Sequence, residues 1–257
     1  QMLSWRQLGH ANILKIIGVC QDFPYSHVAE YHAEGNVRDY LKKATDESRH
    51  VDFAKLLDGI TAGIQYLHSR VPPVPHGDIR GQNIMIASDG TPLITDYGLA
   101  RFQHNVQRSS TFHRDGKAVR LIRTRWTAPE ISEDPDSSNS LVRSSLPSDI
   151  YSLGMTVFEL MTELDPFSDM DDVVAIRTHV QRNGRPALPD GFAEKQAARA
   201  KYMALCEECW KQRPEDRATI EEVRKKLAEI NAPPPPPPPA SAIPATPFVK
   251  AEVGFHS

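Results

Sequence analysis

The chain has 257 residues, a formal net charge of −3 and an apolar fraction of 40%. Such a length suits one domain of about 200 residues plus a tail, and it can bury a sizeable core without covalent staples. The near-neutral balance argues against nucleic acid or an anionic membrane as the main partner. Three cysteines are too few for a disulfide framework. No run of about 18 apolar residues is present to span a bilayer, and no apolar leader is legible at the N-terminus. The expected setting is reducing and cytoplasmic.

In chain order, short strands are predicted over residues 13–19 and 26–30. An amphipathic helix follows, with Phe53, Leu56, Leu57, Ile60, Ile64 and Leu67 on one face, ending near Ser69. Two further strands, over 83–86 and 92–94, flank Asp89-Gly90, a hairpin signal. Residues 134–145, rich in Ser, Asp and Asn, read as a surface loop. Residues 150–161 are apolar on nearly all sides, as in a helix buried at the centre of a domain, with Ser148 after Pro147 as its N-cap. Thr219 and Glu222 form a T-x-x-E capping box, with Val223, Leu227 and Ile230 facing inward and Lys226 in reach of Glu222. Composition changes at Ala232. Seven prolines, Pro233 to Pro239, and a small-residue tail follow. This segment is expected to be disordered with a polyproline II stretch: a solvated tail, or a ligand for an SH3, WW or profilin-like partner. No internal repeat is present.

Three motifs stand in a fixed order: HGDIRGQN at residues 76–83, TDYGLAR at 95–101 and RWTAPE at 125–130. Together they resemble the catalytic core of a protein kinase of the tyrosine-kinase-like group. SDIYSLG at 148–154, GRPALP at 184–189 and WRQLGHANILKIIGV at 5–19 extend the resemblance from Gln1 to about Ile230. It implies an α+β, protein-kinase-like fold. Residues 1–31 would be a remnant of the β-rich N-lobe, residues 32–231 a mostly helical C-lobe, and residues 232–257 the disordered tail.

The resemblance also implies a chemistry: phosphoryl transfer from ATP, with Mg²⁺, to a Ser/Thr or Tyr hydroxyl of a protein substrate. Asp78 would accept the hydroxyl proton, Arg80 would touch the transferring phosphate, and Asn83 and Asp96 would hold the metal. Gly98 would allow the turn into the activation segment. Tyr97, in the place of the usual Phe, adds a hydroxyl that wants a partner when buried. Ala29 would be the gatekeeper, the backbone of Glu30 and His32 would meet the adenine edge, and Met85 would floor the pocket. Glu130 would pair with Arg217, and Asp149 would accept backbone hydrogen bonds from the catalytic loop.

Departures from the family pattern matter as much. Gly77 stands where the family has arginine. Gln1 falls near the position of the helix C glutamate. The 257 residues hold neither a Gly-rich loop nor the strand lysine, so weak turnover by this chain alone is expected, and a pseudokinase-like scaffold or binding module is the alternative. The activation segment carries Arg101, Arg108, Arg114, Lys117, Arg120, Arg123 and Arg125, either as a solvated loop or as a docking surface for an acidic substrate. Cys206 and Cys209 form a CxxC without a second pair at zinc spacing, and they fit a core position better than a metal site. His10 reads as structural. With Gly77 in the arginine's place, a phosphate on the activation segment lacks its usual charge partner. Alanine at Ser109, Ser110, Thr111 and Thr124 is therefore expected to leave the activity of the full-length protein within about threefold; a loss of tenfold or more in a radiolabel transfer assay would refute this.

Overall fold

The computed structural model describes residues 8–19, 27–97, 123–131 and 144–233. Gln1, Gly98, most of the activation segment, most of the 134–145 loop and the prolines after Pro233 lie outside these residues. Two small antiparallel sheets come first. β1 (Ile16–Val19) pairs with β2 (His27–Ala29), with Ile16 opposite Ala29. β3 (Ile84–Ile86) pairs with β4 (Pro92–Ile94), with Met85 opposite Leu93. The strand predicted from residue 13 starts at Ile16. Residues 12–14 bond to β4 instead: Leu14 N–H donates to Ile94 O and Ile94 N–H to Asn12 O, both at 2.9 Å.

Between the sheets lie α1 (Val37–Asp46) and α2 (Phe53–His68). Asn36 caps α1, its side chain accepting from the N–H groups of Arg38 and Asp39; Asp52 caps α2 through Lys55 N–H. The apolar face expected of α2 is buried, and it packs on β4 and on the last helix, α8 (Ile220–Asn231). The capping box of α8 is formed, with Thr219 N–H donating to Glu222 at 2.7 Å. The Glu222 carboxylate thus folds back on Thr219 rather than forward towards Lys226.

α3 (Leu146–Thr162) is the central helix, buried around almost its whole circumference. It begins four residues before the predicted start. Ser145, not Ser148, is the N-cap; Ser148 is its reciprocal partner in a capping box, with Ser145 N–H donating to Ser148 Oγ at 2.8 Å. Pro147 fits inside the first turn, where a missing N–H breaks no bond. α4 (Val173–Gln181), the short α5 (Phe192–Lys195) and α6 (Ala197–Ala200), and α7 (Met203–Cys209) complete the helical body. α7 packs on α3 so closely that a Cβ at Gly154 would meet Cys209 Cβ at 2.7 Å. Both thiols are fully buried in this contact, and burial pushes Cys209 up to about 12, so they act as core packing. No helix among the described residues is long and apolar enough to cross a membrane.

The N-terminal end of α3 is tied to the segment before α8 by Arg217, whose side chain is fully buried. Its Nη1 and Nη2 grip Glu130 at 2.6 and 2.7 Å, and its remaining donors reach Lys211 O, Pro147 O and Gln212 O. All five guanidinium N–H groups are thereby used. Removing the cation would strand a half-buried carboxylate and three carbonyls. Arg217→Met is expected to lower unfolding free energy by about 3 kcal/mol, read by urea denaturation; a loss under about 1 kcal/mol would contradict this account.

Candidate functional site

Four polar residues of α3 share one stripe at i, i+3, i+7 and i+10: Asp149, Ser152, Thr156 and Glu159. Each grips a segment carrying a sequence motif. Asp149 accepts from His76 N–H at 2.7 Å, Gly77 N–H at 2.8 Å and the His68 ring at 2.9 Å. Ser152 Oγ donates to Trp126 O at 2.8 Å, and Thr156 Oγ1 lies 3.2 Å from Ile79 O. Glu159 Oε2 accepts from Gly81 N–H at 3.0 Å and from Trp126 Nε1–H at 2.9 Å. The expected backbone bonds to Asp149 are present.

Convergence of two successive N–H groups on the Asp149 carboxylate sets the backbone of residues 76 and 77. Gly77 adopts φ +85°, a left-handed conformation that costs a residue with a Cβ roughly 1–2 kcal/mol. Glycine therefore fits this position for a backbone reason. The His76 ring, also buried, accepts Asp78 N–H at Nδ1 (3.1 Å), so its proton sits on Nε2, which faces Thr95 O at 2.9 Å. Burial holds this imidazole below its ordinary pKa against the opposing pull of Asp149 and Asp78. The neutral ring bridges residues 76–78 to the residue preceding Asp96.

Asp78 and Asn83 are brought together: Asn83 Nδ2 donates to Asp78 O at 2.8 Å across the 3-10 turn Gly81–Asn83. The Asp78 carboxylate lies between two guanidinium groups. Oδ1 is 3.4 Å from Arg80 Nε and Oδ2 is 2.9 Å from Arg123 Nη2, while Arg80 Nη1 reaches Gln82 at 2.8 Å. Asp96 is half-buried at φ +59°. It follows Thr95, whose N–H donates to Asn83 O at 3.0 Å, so Asp96 is chained to Asn83 through one backbone bond. Tyr97 is 2% exposed. Its hydroxyl faces Leu14 O at 3.5 Å, and burial pushes its pKa up to about 12.

The hinge candidates follow β2. Ala29 is half-buried, Glu30 exposed and His32 half-buried. His32 O accepts from Gly35 N–H at 3.1 Å, Gly35 O accepts from Ile86 N–H at 2.9 Å, and Asn36 bridges to Met85. This segment thus lies against the strand that carries Met85. His10 accepts Asn12 N–H at Nδ1 and stacks on Tyr66 at 5.0 Å, a structural role.

Sequence reasoning missed Glu159, Arg38 and the contact Arg123 makes. Arg38 on α1 reaches Glu159 Oε1 at 3.0 Å and Asp165 at 2.7 Å. Gly81 is where a side chain would collide, since a Cβ there would lie 2.6 Å from Arg38 Cγ and 2.8 Å from Glu159 Oε1. The stripe spacing on an otherwise apolar helix was the available signal. Burial pushes the Glu159 carboxyl up to about 7, against the pull of Arg38 and the Gly81 N–H. A carboxyl raised from about 4.5 holds an extra proton in the folded state, so its contribution falls as pH rises from about 4.5 to 7 and is level above. Glu159→Gln removes that dependence. Relative to wild type the variant is expected to gain about 3 kcal/mol between pH 4.5 and pH 8, measured by urea unfolding at both pH values; a constant difference would refute the assignment.

A family model described as protein tyrosine and serine/threonine kinase matches residues 1–227. The chain is 28% identical over 229 residues to a probable serine/threonine-protein kinase, pats1, of Dictyostelium discoideum, covering 87% of this chain and 6% of that protein. It is 30% identical over 213 residues to the serine/threonine/tyrosine-protein kinase HT1 of Arabidopsis thaliana, covering 82% of this chain and 49% of the relative. It is 28% identical over 226 residues to the tyrosine-protein kinase SPK-1 of Girardia tigrina, covering 86% and 42%. The match thus spans less than half the length of each of these three relatives. Its motifs, its two small sheets on a helical body and this match over most of its length agree: the chain belongs to the protein tyrosine and serine/threonine kinase family.

Proposed function

We propose that this chain builds the acceptor side of an ATP-dependent phosphoryl-transfer site acting on a protein hydroxyl. The observation that carries the reading is the Asp78–Asn83 pair, held from behind by the α3 stripe. Phosphoryl transfer asks for positioning and charge stabilisation more than for covalent chemistry. Asp78 is the proton acceptor: as the acceptor oxygen forms its bond to the γ-phosphorus and the bond to the ADP oxygen breaks, the hydroxyl proton passes to the Asp78 carboxylate. Arg80 stabilises charge on the transferring group.

Asn83 and Asp96 are the metal-holding residues. Asn83 spends its amide N–H on Asp78 O, which directs its carbonyl oxygen away from that bond. One amide oxygen and one carboxylate are hard donors of the kind Mg²⁺ takes beside phosphate oxygens. Mg·ATP, when bound, supplies the phosphoryl group and neutralises its charge. Ala29 lines the pocket as gatekeeper, the backbone of Glu30 and His32 meets the adenine edge, and Met85 floors it, a reading supported by the hinge lying against β3.

Removing one preorganised charge-stabilising donor costs about 10²–10³ in rate, and these 257 residues hold neither strand lysine nor Gly-rich loop. Turnover by this span alone is weak on that ground. The contact of Arg123 with Asp78 favours a second reading, a scaffold built on a kinase fold; the presence of Asp78, Asn83 and Asp96 together favours the enzyme. A cytoplasmic setting and recruitment of an SH3, WW or profilin-like partner by Pro233 to Pro239 belong to the same proposal.

Thermal unfolding with and without Mg·ATP tests it. Ligand at 100 times its dissociation constant adds about 2.7 kcal/mol, worth several degrees in a domain this size at roughly 2–4 °C per kcal/mol. A shift of that size, abolished by Asp96→Ala, is expected. No shift at millimolar nucleotide in a cooperatively folded sample would sink the nucleotide-site assignment.

A further inference from the structure

The Arg123–Asp78 ion pair joins two elements that are each anchored independently. Asp78 is placed by its backbone, with N–H on His76 and carbonyl on Asn83. Arg123 is placed by Trp126 N–H and Thr127 Oγ1, which donate to its carbonyl at 3.1 and 2.9 Å. Neither needs the side-chain contact to hold its position. The pair is partly open to water, with side-chain exposures of 28% for Arg123 and 13% for Asp78. Asp78, Arg80 and Arg123 together carry one excess positive charge. An acceptor hydroxyl must come within roughly 2.6–3.2 Å of a carboxylate oxygen, and Arg123 occupies Oδ2 at 2.9 Å.

We propose that Arg123 is a specificity-determining residue: it guards Asp78 and is drawn off by an aspartate or glutamate next to the acceptor hydroxyl. This rests on the reading of Asp78 as the proton acceptor. Solvent-exposed ion pairs contribute up to about 1 kcal/mol, so exchanging an internal carboxylate for a substrate carboxylate is close to neutral in free energy. A substrate without an acidic neighbour breaks the pair and offers nothing in return. One with a basic neighbour adds repulsion to the excess positive charge. The acidic side chain therefore both docks the substrate and uncovers the base.

Two labelled peptides test this on the full chain by fluorescence anisotropy. Each carries one acceptor hydroxyl, flanked by glutamate in one and by glutamine in the other. The glutamate peptide is expected to bind about fivefold more tightly, the ratio that corresponds to about 1 kcal/mol. Arg123→Gln should erase the preference, while Arg213→Gln, a loss of equal charge on an exposed turn, should leave it. Asp78→Asn releases Arg123 and should tighten binding of the glutamate peptide. That gain should vanish in the Arg123→Gln background, because the two effects act through one contact. Equal binding of both peptides by the wild-type chain, failure of both to bind included, overturns the proposal. So does a gain from Asp78→Asn that persists without Arg123, which would mark a general field effect. The readout needs no phosphoryl transfer, so failure of nucleotide binding is seen separately.

Discussion

The polar stripe of α3 is the constraint on which the site depends. A helix at the centre of a helical body is expected to be apolar throughout, and burying Asp149 and Glu159 there is costly unless each finds partners. Each finds them on the segment that has to be held still. Asp149 fixes residues 76 and 77, Thr156 meets residue 79, and Glu159 meets residue 81 and Trp126. Residues 76–80 have no regular secondary structure, so their N–H groups need acceptors from elsewhere. Asp149 and Glu159 accept from residues 76, 77 and 81, and Thr156 donates to the carbonyl of residue 79, at intervals matching one face of a helix. The loop's shape is in this sense a cast of α3.

The same arrangement explains why glycine occurs twice in HGDIRGQN. Gly77 is bent into positive φ by the double grip of Asp149. Gly81 lies so close to Glu159 and Arg38 that a side chain would displace them. The family arginine is missing at residue 77, and the charge beside Asp78 comes instead from Arg80 and Arg123. On the proposed function, each cation held by this carboxylate is one the substrate has to displace.

Much of this was legible in the sequence. The α2 stripe, the capping box of α8 and both strands around Asp89-Gly90 follow from local spacing, and the Glu130–Arg217 pair from the family resemblance. The start of α3 was misread because Ser145 and Ser148 are both good caps, and only the reciprocal bond between them shows which one lies outside the helix. The early part of the 13–19 segment reads as strand by composition, but residues 12–14 are recruited by β4, a long-range choice that local propensity does not contain. Arg38 and Arg123 could not be placed from sequence, since each acts on a residue far along the chain from its own. Glu159 could have been found, because a charged residue ten positions from Asp149 on a buried helix has to be paired.

The two sides of the site are held by different parts of the molecule. The residues flanking Asp78 and Arg80 are gripped from α3, and the end of the activation segment is positioned by Glu159, Ser152 and Arg217, all within the helical body. The proposed hinge residues follow β2 and meet the body where Gly35 and Asn36 bond to β3. β1 and β2 form a sheet of two strands with Ile17 and Val28 exposed, and a two-stranded sheet is marginal by itself. On the proposed function, geometry at the acceptor hydroxyl would be set by a buried, heavily bonded frame, and the grip on nucleotide would depend on a small two-stranded sheet. A change that loosens β1 or β2 should act on nucleotide affinity first and leave the catalytic loop in place. A change in the α3 stripe should do the reverse, since it moves the loop without touching the hinge.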